Sequence, residues 1–346
     1  MFAVGDLHNF GEFVRFENEK VFKPRTIFWE YTFLSSKSEL RILIESICRN
    51  FSITSPFSVA PDLRFESNDF SNGYIQKLNL SEFENFENEL ESNSIASMIG
   101  MCFWFGIGDL HKDNLFVGRD SNSKLICFPL DIETIFDKMS HVHQTLLFSS
   151  EVINQENTGL NKILPRIQSL NEKNRIQFVK KFIEIINLLN DHSEIILKTV
   201  NSNEQHHDRR IRVIPRDTKT YKKIIEGLSD ICDLTKEEEI QIRRGDIPYF
   251  FRELDSDKIY YYKNKNKEID LVHSEAECFN KIRCVHIKEN NQIDLNKTYT
   301  AIYSAGYIAE KLNLKCDYDL SECKIYGDQY NLSIKYSNRI ELNENT

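Results

Sequence analysis

Residues 95–133 place the tightest constraint on what this chain can fold into. An apolar stretch from Ile95 to Ile107 is long enough for several helical turns and runs into Gly106 and Gly108, a helix stop. The loop Gly108-Asp109-Leu110-His111-Lys112-Asp113-Asn114 follows at once. Two apolar segments come next, NLFVG and KLICFPLD, separated by a polar turn at Asp120 to Ser123, and the run closes on Asp131, Ile132 and Glu133. This order reads as helix, tight loop and β-hairpin. A helix stop explains a lone Gly-Asp pair and a turn cap explains a lone Asn114, but the complete string is far more restrictive.

The residue types in that string suit phosphoryl transfer. Asp109 and Asn114 are five positions apart, the D-x-x-x-x-N spacing of protein kinase catalytic loops, where a hairpin then delivers a second metal-binding Asp. A carboxylate beside an attacking hydroxyl orients it and takes its proton. Carboxylate and amide oxygens suit Mg2+, which neutralises a triphosphate. Asp109 is therefore the candidate base, and Asn114 and Asp131 are candidate Mg2+ ligands. His111 either contacts a phosphate or braces the loop.

The tetrapeptide GDLH also occurs near the start, as Gly5-Asp6-Leu7-His8. Its surroundings differ. It leads into EFVRFEN and EKVFKPRTIF, which alternate like two strands joined by a turn at Glu17 to Lys20, with Pro24 closing the second. Lys23, near the end of that second strand, is placed to pair with nucleotide phosphates, and Glu45 on the next helix is a candidate partner for it. Gly5 and Gly11 flank the motif but form neither G-x-G-x-x-G nor G-x-x-x-x-G-K-[ST]. Asp6 and His8 would then lie near the phosphates or the metal.

Other elements follow from caps and periodicity. Ser36 and Glu39 suggest a capping box before a helix with the stripe Leu40, Leu43, Ile44 and Ile47. Residues 51–80 read as short strands and loops. Ser81 and Glu84 suggest another cap, before a polar helix leading to Ile95. Helices are expected over 166–198, 221–231, 235–244 and 295–312, with short strands at 247–252 and 258–263. The expected class is α+β, in the order of a bilobal kinase-like fold. Residues 1–80 would be a small β-rich N-lobe, and 81–346 a larger, mainly helical C-lobe.

Composition narrows the partners. The chain has 346 residues, 40% of them apolar, enough for a sizeable core. Its formal charge of −9 argues against general nucleic-acid binding, which needs a basic surface, and favours a basic substrate or a metal–nucleotide complex. The eight cysteines include no C-x-x-C pair, so they read as reduced structural thiols in a cytoplasmic protein. No signal peptide is evident, and the run from Ile95 to Ile107 is too short for membrane insertion.

The ordered motifs GDLHNFGEFVRFE…VFKPR, GDLHKDNLFVG…LDIETIF, RIRVIPRDTKTY and RGDIPYFF span residues 5–251. Together they resemble the dehydratase domain of class II lanthipeptide synthetases, the LanM family. The resemblance implies a lipid-kinase-like fold that uses ATP and Mg2+ to phosphorylate Ser and Thr of a ribosomal precursor peptide. The same site then eliminates phosphate to leave dehydroamino acids. It places Asp6, His8 and Lys23 in the nucleotide region and Asp109, His111 and Asn114 in the catalytic loop. Asp131 and Glu133 match the metal-binding D-x-E, and Arg212 and Thr218 match the pair linked to elimination. Either Arg212 or Arg216 would supply the cation at the leaving phosphate.

The chain departs from the family in having Asp217 where Pro is frequent and in lacking a Cys-His dipeptide for a cyclase zinc site. Ring formation is not expected of it, and a separate cyclase would be a partner. Two other functions remain open. One is a small-molecule kinase of the aminoglycoside-phosphotransferase type, which shares GD-x-H-x-x-N. The other is a pseudokinase or binding module, suggested by the unusual phosphate cover.

Overall fold

The computed structural model describes residues 2–3, 7–202, 208–228, 234–254, 256–274, 297–337 and 339–345. Asp6, Cys232, Cys278, Cys284 and the His206-His207 pair lie outside them. The fold is α+β. The N-terminal hairpin is present. β1 (Phe2–Ala3) pairs with β2 (Arg15–Glu17), which turns at Asn18 into β3 (Lys20–Lys23). Proline has no N–H to donate to a ladder, so β3 stops before Pro24. β4 (Phe65–Glu66) and β5 (Gly73–Gln76) complete an antiparallel sheet in the order β1-β2-β3-β5-β4. The approach of β4 needs Gly73, where a Cβ would sit 2.6 Å from the Glu66 carbonyl oxygen.

Next comes a helix that periodicity did not reveal, α1 (Phe28–Leu34). All its residues except Tyr31 are buried. A helix enclosed on every side has no polar face and so no 3.6-residue pattern. α2 (Glu39–Asn50) carries the expected stripe, but its cap is Ser38, whose side chain accepts from Arg41 N. Ser36 is drawn away to Asp62, donating from N and Oγ at 2.8 Å each.

The apolar helix α3 (Glu89–Phe105) is one continuous element capped by Asn88, and no separate polar helix precedes it. Ser81, expected as a cap, pairs through its backbone with Arg119 instead. α3 ends on Gly106 at φ +64°, where a Cβ would lie 2.2 Å from the Asp137 carbonyl oxygen. Only glycine meets both demands. β6 (Leu115–Arg119) and β7 (Leu125–Pro129) form the expected hairpin, its turn held by Asp120 accepting from Asn122 N and Lys124 N.

The region 166–198 is not one helix but parts of three, α4 (Leu164–Gln168), α5 (Glu172–Asp191) and α6 (Ser193–Ser202). Asn171 starts α5 as its cap. α3 packs along α5 at the centre of one connected set of buried side chains running from Ile27 to Ile340. Trp29 and Trp104 are among them. Each such large apolar side chain stabilises the fold by roughly 1.5–3 kcal/mol.

Beyond α6 come β8 (Ile211–Val213), α7 (Thr218–Ile225), α8 (Lys236–Arg243), β9 (Phe250–Arg252), β10 (Tyr260–Tyr262) and β11 (Ile269–Leu271). The four strands form a sheet in the order β11-β10-β9-β8. α9 (Thr298–Lys311) then packs on an antiparallel meander of β12 (Lys315–Tyr318), β13 (Glu322–Tyr326), β14 (Asn331–Tyr336) and β15 (Ile340–Asn345). The sequence reading has no strands there. Their inward positions do alternate, with Cys323 and Ile325 buried on β13 and Leu332 and Ile334 on β14, but the polar outer face masks the signal.

Among the described residues no helix is long and apolar enough to cross a membrane. The described cysteines are free thiols, and Cys48, Cys102, Cys127 and Cys323 are buried. Burial raises all four thiols, which makes them inert packing groups.

Candidate functional site

Lys23 ends β3 with its side chain 11% exposed. Its Nζ donates to Glu30 Oε1 at 3.0 Å, to Asp131 Oδ1 at 2.5 Å and to the Leu130 carbonyl at 3.3 Å. The partner from the following helix is thus Glu30 in the first turn of α1, not Glu45. Glu45 pairs with Arg41 one turn earlier on α2, Oε1 to Nε at 3.1 Å. A residue at the start of α1 lies beside the end of β3, whereas α2 starts a further helix away.

Pro24 separates Lys23 from Arg25. The residue before a proline is held extended, so side chains two apart share a side. Arg25 accordingly joins the same cluster. It contacts Glu30 Oε1 at 2.7 Å and Asp131 Oδ1 through Nη2, and Glu133 Oε1 at 2.7 Å through Nε. Asp131 and Glu133 follow β7 with the same spacing, and Arg25 reaches both. Glu30 is fully buried, and its Oε2 has no hydrogen-bond partner.

Arg212 approaches from β8. Its backbone N donates to the Glu133 carbonyl at 2.9 Å, and its Nη1 reaches Glu133 Oε2 at 3.1 Å. Its guanidinium lies 5.3 Å from the Tyr249 ring centroid, and its Nε is buried without a partner. His8 meets the other side of this region. Its Nδ1 donates to the Ile247 carbonyl at 2.8 Å, and its ring sits edge-on to Tyr249 at 5.8 Å. Asp246, almost wholly buried, accepts from Phe10 N at 2.7 Å and Gly11 N at 2.9 Å. The loop after the first GDLH is left-handed at Asn9, Phe10 and Gly11. Successive N–H groups in such a turn make an anion cradle, and the Asp246 carboxylate fills it.

The second GDLH forms a loop braced on three sides. Gly108 N donates to the Thr134 carbonyl, Leu110 N to Thr145, and Leu130 N to Asn114. Asp109 adopts φ +58°, a left-handed conformation that Asp tolerates better than most residues. Asn114 Nδ2 donates to the Asp109 carbonyl at 2.8 Å, which leaves its Oδ1 as an oxygen donor. His111 braces the loop, its Nδ1 accepting from Asp113 N at 3.2 Å, while its Nε2 lies 3.9 Å from Asp109 Oδ1.

The two aspartates are pushed apart electrostatically. Burial drives the Asp109 carboxyl up to about 6, opposed by His111 and Arg212 and reinforced by Glu133 and Asp131. Burial works the same way on Asp131, but Lys23 and Arg25 overcome it and hold that carboxyl well below the usual range. Both remain accessible, with side chains 36% and 33% exposed. Neighbouring acids with separated titrations suit division of labour, one permanently charged and one that gains and loses a proton near neutrality.

The described contacts bring Lys23, Asp131, Glu133 and Arg212 into one network, with Asp109 and Asn114 on the adjoining loop. They do not include Thr218, which opens α7 behind the cap Asp217. Arg216 serves the scaffold, its Nε 2.8 Å from Glu238 Oε1, which Tyr221 also binds. Sequence reasoning missed Arg25, Glu30 and Tyr249. One signal was present: Glu30 is the lone acid in the apolar run FWEYTFL.

Among the described residues no three His, Cys, Asp or Glu side chains gather as a metal cluster. Asn114 Oδ1 and Asp131 nonetheless offer only oxygen donors, the chemistry Mg2+ takes. Lys23 and Arg25 both bind the same Asp131 oxygen, Oδ1. Glu133 differs, since its two oxygens are engaged by Arg25 and Arg212. The buried unpartnered Nε of Arg212 suits an anionic group. Compared with models of known protein families and with curated proteins, the chain matches none of them.

Proposed function

We propose that the chain is an ATP-dependent phosphotransferase of the LanM dehydratase type, with a bilobal kinase-like arrangement of the N-terminal sheet over a larger remainder of helices and sheets. The observation that carries this reading is the convergence at Lys23. A strand lysine pairs with a buried glutamate of the next helix and with the aspartate that follows a D-x-x-x-x-N loop and hairpin. Asn114 and Asp131 would hold Mg2+, and Mg-ATP, when bound, supplies the phosphoryl group and neutralises its charge.

The chain's own groups do the rest. Asp109 orients a Ser or Thr hydroxyl and takes its proton as the oxygen attacks. Lys23 steadies the phosphates. Arg212 favours the second step, in which a base removes the α-proton, the Cβ–O bond breaks, a Cα=Cβ bond forms and phosphate leaves. A buried guanidinium with a free Nε stabilises charge growing on that leaving group. The substrate in this reading is a precursor peptide, with a separate cyclase acting on the product. A groove of about 290 Å³, lined by Lys112, Asp113, Phe116 and Lys162 among others, opens at the far end of the catalytic loop.

The test is mass spectrometry of a Ser/Thr-rich peptide co-expressed with the protein, or treated with it and Mg-ATP. Loss of water is expected. Phosphate gained and retained on the peptide would reduce the reading to a peptide kinase. Phosphate placed only on small hydroxyl compounds would favour the small-molecule kinase, and ATP binding without any transfer the binding module.

A further inference from the structure

Lys23, Arg25 and Arg212 stand against Glu30, Asp131 and Glu133 in one continuous network of ion pairs. Arg25 is its hub, for it alone reaches all three carboxylates. Its side chain is 9% exposed, and its guanidinium lies between the two carboxylates of the D-I-E run. A divalent cation that sought both Asp131 and Glu133 would have to displace a cation already seated there.

Charge balance sharpens this. Three positive and three negative groups leave the network neutral without any metal. A bare divalent cation would add two positive charges beside Lys23 and Arg25, of which the Asp109 carboxylate on the adjoining loop offsets at most one, in surroundings that screen poorly. A cation that arrives on a polyphosphate brings its own negative charge. It also brings phosphate oxygens, which a planar guanidinium binds as readily as carboxylate.

We infer that Arg25 is a resident counter-cation: it closes Asp131 and Glu133 to free divalent cations and yields them only to a cation carried by a phosphate chain. This rests on the nucleotide reading of the site. It makes Arg25 a positioning residue whose role is visible without turnover.

Mn2+ is the probe, titrated by calorimetry and by electron paramagnetic resonance into the full chain, with and without ATP. Wild-type protein should bind Mn2+ at least about tenfold more tightly with ATP bound than without. Arg25→Met keeps bulk and removes charge, and should bind Mn2+ without ATP about tenfold more tightly than wild type, whereas Arg25→Lys should not. Because Arg25→Met strips a partner from buried Glu30, the double variant Arg25→Met/Glu30→Gln is measured beside it, with the same gain expected. Thermal melts establish that each is folded. Unchanged Mn2+ affinity in folded Arg25→Met and in the folded double variant overturns the inference, as does wild-type protein that binds Mn2+ equally well with and without saturating ATP. If ATP does not bind wild type at all, the nucleotide reading falls, and the variant comparison alone decides whether Arg25 keeps free cations out.

Discussion

Lys23 Nζ lies 2.5 Å from Asp131 Oδ1, although the two residues are 108 positions apart in the chain. The contact joins the last residue of β3 to the segment leaving the β6–β7 hairpin. Glu30 holds the lysine from the other side at 3.0 Å. Lys23→Met should therefore abolish phosphoryl transfer and weaken ATP binding at least about tenfold, read by calorimetry with Mg-ATP.

Glu30→Ala tests the buried partner. It would leave Lys23 and Arg25 sharing only Asp131, without the fully buried carboxylate that holds both from the other side. Breaking a buried pair by removing one member costs about 3–5 kcal/mol, so a clear loss in chemical denaturation is expected. A loss within about 0.5 kcal/mol, the range of ordinary surface substitutions, would mean the pair is not held as described.

Asp109→Asn keeps the side-chain shape and tolerates the same left-handed backbone. The melting temperature should barely change, while transfer to a hydroxyl falls about 10²–10⁴-fold. Single-turnover kinetics at saturating ATP would separate this from a binding defect.

The Asp109 carboxyl, raised to about 6, sets a pH dependence with a definite sign. A base must be ionised, so the rate of transfer should fall as pH drops through about 6. Stability runs the other way for this group. The folded state holds its proton more tightly than the unfolded state, so its contribution is fully present below the ordinary carboxylate pKa and is lost as pH rises through the folded value. Asp131 has the opposite sign, because its depressed carboxyl contributes stability that is present above the unfolded pKa and lost on acidification. A pH–rate profile whose acidic limb is absent in Asp109→Asn checks the assignment.

Arg212→Met should divide the two proposed steps. Phosphorylated peptide should accumulate, while water loss drops by about 10²-fold or more, as for removal of a donor that stabilises developing charge. Equal loss of both steps would place Arg212 in nucleotide binding instead.

Local patterns revealed the elements that make the catalytic loop. Gly106 at a left-handed helix end, the apolar runs 115–119 and 125–129 split by a polar turn, and the hairpin before Lys23 each carry a turn residue or an apolar run that can be read within a few positions. α1 and the C-terminal meander were not legible. The first is buried on all sides, and the second offsets few inward apolar residues with a polar outer face. Capping residues were misjudged where a distant partner competed: Asp62 takes Ser36, and Arg119 takes Ser81.

The sequence by itself therefore determined the order helix, GDLHKDN loop, hairpin and DIE, and nominated Asp109, Asn114, Asp131 and Lys23 as chemistry-bearing residues. Only the tertiary structure decided that Lys23 meets Glu30 and not Glu45 and that Arg25 sits between Asp131 and Glu133. It also set Arg212, Tyr249 and His8 in one line of contacts beside them. The reason is range. Periodicity and caps report on neighbours within a turn or a strand pair, whereas ion pairs between residues about a hundred positions apart leave no local pattern and form only when separate elements pack against each other.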